Sequence, residues 1–272
     1  MHLAAQAKEF PASSFLTDFP ITNSLVTNSP PSRLKDTDFL MAICHEIRTP
    51  LSAIIGLANI LASPDCNPKR RGECAAMLND SSNMLVGLLN DLLDSSKIHA
   101  GKMEVEHIRF DILKVIRSAL NIISTKASAK GLNLQMSIGN NVPAECMGDP
   151  LRLSQILLNL LSNAVKFTEK GYVMLYVNVV TGLDGADQLS ITIVDTGIGI
   201  RQDQLERNFG QYAQSHSGIS RHYGGTGLGL SISRDLAHLM RGDITVKSWP
   251  GIGSHFIVTL PLSKVAVLLE VA

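Results

Sequence analysis

The chain has no surplus of charge of either sign: Lys plus Arg number 24, and so do Asp plus Glu. Without a basic excess it has little with which to neutralise a phosphate backbone, and nucleic-acid binding is not expected as its main work. Cysteine is scarce. Cys44, Cys66, Cys74 and Cys146 form no CxxC pair, which excludes a zinc-ligand spacing and a disulfide framework and reads as reduced thiols in a cytosolic compartment. No apolar run reaches the roughly 18 residues of a membrane span. The N-terminus lacks a charged start followed by an apolar core, so no signal peptide is expected. Membrane association would then come only through a partner or a region outside this sequence. No internal repeat is visible, which leaves no case for a repeat array. No GxxxxGK[ST] occurs, so the chain is not a P-loop protein.

What remains is a globular composition of 272 residues, 45% hydrophobic and 18% charged, enough for one or two domains. Residues 1–32 are rich in Ser, Thr, Asn and Pro without a sustained period, and read as an arm or linker. From Arg33 to Ala62 the apolar residues Ile43, Ile47, Leu51, Ile54 or Ile55, Ala58 and Leu61 recur every three or four positions, one face of an amphipathic helix. A turn, Ser63 to Pro68, separates it from a second helix with the stripe Met77, Leu78, Ser81, Leu85, Leu88, Leu89 and Leu92, stopped near Gly101. Two helices of about 45 Å joined so tightly must run antiparallel. Alone they leave part of their stripes wet. A second copy would complete a four-helix bundle, so residues 33–103 are expected to dimerise.

After about Val105 the texture becomes strands and helices in alternation. HIRFDI, NLQMSI, ECMGD, YVMLYVNVV, QLSITIVD, DITVKSWPG and SHFIVTLPL read as strands. LKVIRSALNIISTKASAKGL, LRLSQILLNLLSNAVKFT and SISRDLAHLM read as helices. Residues 104–262 should form a two-layer α/β sandwich, helices on one face of a mixed sheet, with 263–272 as a tail. Arg201 to Gly224 is polar and glycine-punctuated and reads as a loop with a short helix.

Polar residues interrupt this pattern at few places. On the first helix His45 points about 200° away from the apolar stripe, with Glu46 beside it, Thr49 on its own face, and Pro50 removing one backbone hydrogen bond. A nucleophile held beside an acid on a strained helix fits that arrangement; so does an ordinary surface histidine. Asn159, Asn163 and Lys166 fall at i, i+4 and i+7 on one helix face, where amide oxygens suit Mg²⁺ and an ammonium suits phosphate, or where a plain solvated edge would stand. Asp195-Thr-Gly197-Ile-Gly199 follows an apolar strand. Its carboxylate can accept from an exocyclic amine, or close an ordinary Asx turn. Gly224-Gly225-Thr226-Gly227-Leu228-Gly229-Leu230 opens a helix, a phosphate cradle by its glycines, though a weak signal without a βαβ unit. Gly251-Ile-Gly253-Ser-His-Phe256 alone is a hairpin turn.

Taken in order these motifs resemble the sensor histidine kinases over Lys35 to Leu262. HEIRTPL is similar to that family's phosphoacceptor motif, and the other four to its ATP-binding domain of the gyrase-like ATPase type. The resemblance implies that His45 is phosphorylated and that Glu46 takes or holds the proton on its other ring nitrogen. Thr49 would place water for the reverse reaction and Arg48 would help position the motif. It assigns Mg²⁺ to Asn163, supported by Asn159, and phosphate to Lys166, with Phe167 flanking the nucleotide. Asp195 would read adenine beside Gly197 and Gly199. Gly225, Thr226, Gly227, Leu228 and Gly229 would wrap the ATP phosphates under a lid from Arg201 to Tyr223 bearing Arg221. Related ATPases carry a Glu where Asn159 stands. An amide is no base, so ATP should wait for His45. The lid front, Glu206 to Gln214, departs from the family: Asn208 replaces an apolar anchor and Gly210 an acid, while Phe209 and Tyr212 remain. The expected function is an ATP-dependent, homodimeric histidine kinase that passes its phosphoryl group to an aspartate of a response-regulator receiver domain. The alternatives are a nucleotide-binding scaffold or phosphatase, and a plain ATPase module. The apolar tail, KVAVLLEVA, reads as the first strand of a receiver or as a chance end.

Overall fold

The computed structural model describes residues 33–182, 185–208 and 228–264. It divides into two units, Met1–Asp38 and Phe39–Ala272; of the first, only the helical backbone of residues 33–38 is described. Two long helices open the structure: α1 (Arg33–Ala62), which continues through Pro50, and α2 (Pro68–His99). Pro68 belongs to the second helix rather than to the turn before it. It takes the first helical position, where a missing N–H costs nothing, and Asn67 caps the helix by accepting from the Arg70 amide at 2.8 Å. At the other end Gly101 adopts φ +62°, a left-handed geometry that stops α2.

The sandwich follows as β1 (Ile108–Asp111), α3 (Ile112–Ala129), β2 (Asn133–Ile138), β3 (Glu145–Gly148), α4 (Pro150–Phe167), β4 (Tyr172–Thr181), β5 (Asp187–Asp195), α5 (Gln202–Asn208), α6 (Leu228–Leu239), β6 (Asp243–Trp249), β7 (Gly253–Pro261) and β8 (Ser263–Lys264). Five strands form a mixed sheet in the order β2-β4-β5-β7-β6, with β2 and β4 parallel and the other neighbours antiparallel. A second sheet, β1-β3-β8, lies outside the expected layout. Its strand β8 begins after Leu262, in what reads from sequence as tail, and pairs with Cys146 and Met147.

Register and alternation build the core. Val173, Leu175 and Val177 of β4 lie opposite Asp195, Ile193 and Ile191 of β5, and these in turn lie opposite Ser254, Phe256 and Val258 of β7. Period-2 geometry sends all of them to the same face of the sheet, and all are buried. Helices α3, α4 and α6 cover that face. The α4 residues Leu153, Ile156, Leu157, Leu160, Leu161, Ala164 and Val165 form its buried stripe. Asp149, 2% exposed, caps α4 by accepting from the Arg152 amide at 2.9 Å and ties in the incoming chain through the Glu106 amide at 3.0 Å.

The hairpin behaves differently. Met41, Leu51, Ile55, Met77, Met84, Val86, Leu89 and Leu93 are exposed, an apolar surface that a single copy of the chain leaves uncovered. The distal part of α2 is anchored: Leu88 is buried, Leu92 and Ile98 pack against the sandwich core, and α2 touches α6.

Candidate active site

The α4 helix carries two opposed stripes. One is the buried apolar row; the other is Arg152, Gln155, Asn159, Asn163 and Lys166, spaced by three or four residues and half-buried. The structure therefore brings together the three polar α4 residues expected from sequence. Asn163 Nδ2 donates to Asn159 Oδ1 at 3.4 Å, and Asn159 Nδ2 donates to Ser233 Oγ of α6 at 2.7 Å. Lys166 Nζ stands 5.0 Å from the centroid of the Phe167 ring, within cation–π range.

The C-terminal end of α4 meets the Asp195 loop. Ile198 donates its amide to the Phe167 carbonyl at 3.3 Å. Lys130, a residue the sequence pattern did not single out, donates Nζ to the Val165 and Lys166 carbonyls at 2.8 Å each. A cation on the open carbonyls of a helix end satisfies them and complements the helix dipole. Asp195 is 5% exposed, because strand alternation turns it under the helices with Ile193. Burial raises its pKa, partly offset by hydrogen bonds from Gly197, whose amide lies 2.9 Å from Oδ1, and from Ser254. Ser248 supports the same loop: its Oγ accepts from the Ile200 amide at 2.7 Å and lies 3.0 Å from Ser254 Oγ. Gly199 has φ +66°, and a Cβ there would stand 2.0 Å from the Trp249 carbonyl oxygen, so only glycine fits.

On α1, His45 and Thr49 are exposed and Glu46 is half-buried, while Pro50 is buried. Thr49 Oγ1 donates to the His45 carbonyl at 3.2 Å, which uses the hydroxyl to tie one helical turn. Glu46 has its pKa raised by burial, opposed by the charges of His45 and then Lys166. Lys166 has its pKa lowered by burial, opposed by Glu46. The charges of the residue next to His45 and of the last polar residue of the α4 stripe therefore act on each other.

A second meeting of the two parts lies at the other end of the α4 stripe. Asp94 of α2 accepts from Gln155 Nε2 at 2.8 Å and pairs with Arg152 Nη1 at 3.4 Å; Arg152 Nη1 also donates to Gln155 Oε1 at 2.9 Å. A cleft of about 450 Å³ runs from this cluster past Asp91 to Asn159, Gly229 and Ser233. Burial, and then the charge of Asp94, raise the Asp91 pKa to about 6.

Arg221, Gly225, Thr226 and Gly227 lie outside the described residues, as do Phe209, Gly210, Tyr212 and Gln214; Leu228 is described only as the backbone start of α6. Gly229 is described, and α6 passes so close to α4 that a Cβ on it would stand 2.4 Å from Asn159 Oδ1. The residues present suit a magnesium nucleotide. Asn163 turns its N–H₂ toward Asn159, leaving its amide oxygen, a hard donor of the kind Mg²⁺ takes, without a hydrogen bond among the described residues.

Two family models match the chain. Residues 35–101 match the His Kinase A (phospho-acceptor) domain, and residues 148–264 match the histidine kinase-, DNA gyrase B- and HSP90-like ATPase family. Hybrid signal transduction histidine kinase B of Dictyostelium discoideum is 42% identical over 225 residues, which are 82% of this chain and 11% of that protein. Sensor histidine kinase GacS of Pseudomonas protegens is 40% identical over 233 residues, 86% of this chain and 25% of that protein. The chain thus spans a quarter or less of the length of these two relatives. Among solved structures, full-length ShkA in complex with AMPPNP matches with a TM-score of 0.62 and 29% identity over 84% of this chain and 46% of that one. The Acinetobacter baumannii histidine kinase AdeS shares the fold, with a TM-score of 0.61 and 19% identity over 80% of this chain and 98% of that one. A phosphoacceptor helical domain followed by a gyrase-type ATPase sandwich, with these relatives, places the chain in the sensor histidine kinase family, whose catalytic core it carries.

Proposed function

We propose that the chain is an ATP-dependent protein-histidine kinase that phosphorylates His45. The observation that carries this reading is the polar row of α4, where Asn159 is held by Ser233 and in turn accepts from Asn163, with Lys166 one turn further on; the opposite charges of Glu46 and Lys166 act on each other, which links the exposed histidine on α1 to that row. A ring nitrogen of His45 attacks the γ-phosphorus of ATP, the bond to the β,γ-bridging oxygen breaks, and ADP leaves. The proton on the other ring nitrogen passes to Glu46, whose raised pKa makes it a better acceptor than an ordinary surface carboxylate. Asn163 holds Mg²⁺, Asn159 supports Asn163, and Lys166 binds phosphate. The cation, when bound, neutralises phosphate charge and orients the polyphosphate, in keeping with a reaction that depends on positioning and electrostatics. Asp195 accepts from the adenine amine, and Arg221 and the glycines Gly225, Gly227 and Gly229 are assigned to the phosphates. Asn159, an amide hydrogen-bonded to Ser233, offers no base for water, which disfavours a plain ATPase. Thr49 and Arg48 are assigned to the reverse reaction and to positioning.

The exposed apolar face of the hairpin supports a homodimer in which a second copy covers Leu51, Ile55, Met84 and Leu89. The phosphoryl group then passes to an aspartate on a receiver domain. No helix among the described residues is long and apolar enough to cross a membrane, and a cytosolic setting is part of the proposal. Incubation with γ-labelled ATP and Mg²⁺ should give an acid-labile, base-stable label on the wild type and none on His45→Gln. Equal labelling of the two refutes the assignment.

A further inference from the structure

Ser233 lies outside every motif that marks the nucleotide site, yet it touches that site directly. It is 2% exposed, on α6, one turn beyond Gly229. Its Oγ takes the N–H₂ side of Asn159 at 2.7 Å. Gly229, by having no side chain, lets α6 come close enough for this contact. A side-chain amide presents an acceptor on one side and donors on the other, and a half-turn exchanges them. With the N–H₂ of Asn159 drawn to Ser233, its oxygen lies against Gly229 of α6 and within reach of Asn163. That oxygen accepts from Asn163 Nδ2 at 3.4 Å, which turns the oxygen of Asn163 away from Asn159. The two asparagines are thus aligned in series, and the hydroxyl on α6 sets the direction of the series.

We propose that Ser233 is a positioning residue of the nucleotide site: by fixing the amide of Asn159 it presents the carbonyl oxygen of Asn163 to the magnesium ion of the nucleotide. The inference rests on the assignment of Mg²⁺ to Asn163 made above. Groups that orient a metal ligand typically change metal affinity by roughly 10- to 100-fold when removed, so the hydroxyl should matter to Mg²⁺ more than to the nucleotide.

The test is calorimetric titration of the full chain with a non-hydrolysable ATP analogue, with Mg²⁺ and with EDTA in its place. The ratio of the two affinities is the magnesium gain. In Ser233→Ala the gain should fall roughly tenfold, while affinity in EDTA stays at the wild-type value. Asn159→Ala should lose the gain too, and the double variant should lose no more than Asn159→Ala alone, because Ser233 acts through that amide. If Ser233→Ala melts several degrees lower, Ser233→Cys, similar in size but a weak acceptor, gives the same reading. An unchanged magnesium gain in both Ser233 variants, or losses that add in the double variant, overturns the role of Ser233 alone. A wild-type chain with no magnesium gain overturns the assignment of Asn163 and this inference together.

Discussion

Removing the Asp94 carboxylate tests how the sandwich is held against the hairpin. In Asp94→Ala the 2.8 Å hydrogen bond from Gln155 and the 3.4 Å pair with Arg152 disappear. The side chains of Asp94 and Arg152 are 16% and 19% exposed, so the pair lies between a surface salt bridge, about 0–1 kcal/mol, and a fully buried one whose breakage costs about 3–5 kcal/mol. Two features reduce the loss. Arg152 keeps Gln155 Oε1 at 2.9 Å, and Asp91 no longer faces a second carboxylate. The expected net cost to docking is about 1–2 kcal/mol, an approximately tenfold shift toward the undocked arrangement. Fluorophores on the exposed residues Glu73 of α2 and Lys247 of β6 would report it as a broader, longer distance distribution without nucleotide. Arg152→Ala and the double variant complete a thermodynamic cycle. An unchanged distribution in Asp94→Ala, or strictly additive effects in the double variant, refutes the idea that this cluster holds the two parts together.

Three further outcomes are expected. The folded state raises the Asp91 pKa to about 6, so the native protein binds the proton more tightly than the unfolded chain and carries a penalty at neutral pH that is relieved as pH falls. Asp91→Asn should therefore be more stable than wild type at pH 7, with the advantage shrinking as pH drops through about 6 toward the ordinary aspartate value of 3.8; denaturant melts across that window check it, and a pH-independent difference would contradict it. Gly199→Ala forces a Cβ to 2.0 Å from the Trp249 carbonyl oxygen at φ +66°; it should cut ATP-analogue affinity at least tenfold in calorimetry while the sandwich still folds, and wild-type affinity would show that this loop does not serve the nucleotide. Leu157, fully buried in the centre of the core, should cost about 2–5 kcal/mol as Leu157→Ala by chemical denaturation, and a loss below about 1 kcal/mol would count against the packing described.

Legibility from sequence followed the strength of the local signal. Long 3.6-residue periods with clear stops made α1 and α2 readable to within a residue, and the Asp149-Pro150 start marked α4. Strand β2, bounded by glycine-marked turns, was equally plain. The three-stranded sheet was not. Its strands have four, four and two residues, and a two-residue strand has no period to detect; it exists because the chain leaving β7 passes beside β3. The site divides the same way. Asn159, Asn163 and Lys166 could be grouped from spacing alone, since a helix face is a local property. Lys130, Ser233 and Ser254 could not, because each meets its partner only after distant segments pack.

Sequence alone therefore determined the element types, the phosphoacceptor and nucleotide motifs and the family they point to, since all of these reside in local pattern and in the chemistry of individual side chains. Tertiary structure decided the rest: that Ser233 and Gly229 back Asn159, that Asp94 meets Arg152 and Gln155, and that Glu46 and Lys166 act on each other's charge. The physical reason is the same in each case. Hydrogen bonds and ion pairs depend on distances of a few ångströms between groups far apart in the chain, and only the packing of the helices α1, α2, α4 and α6 sets those distances.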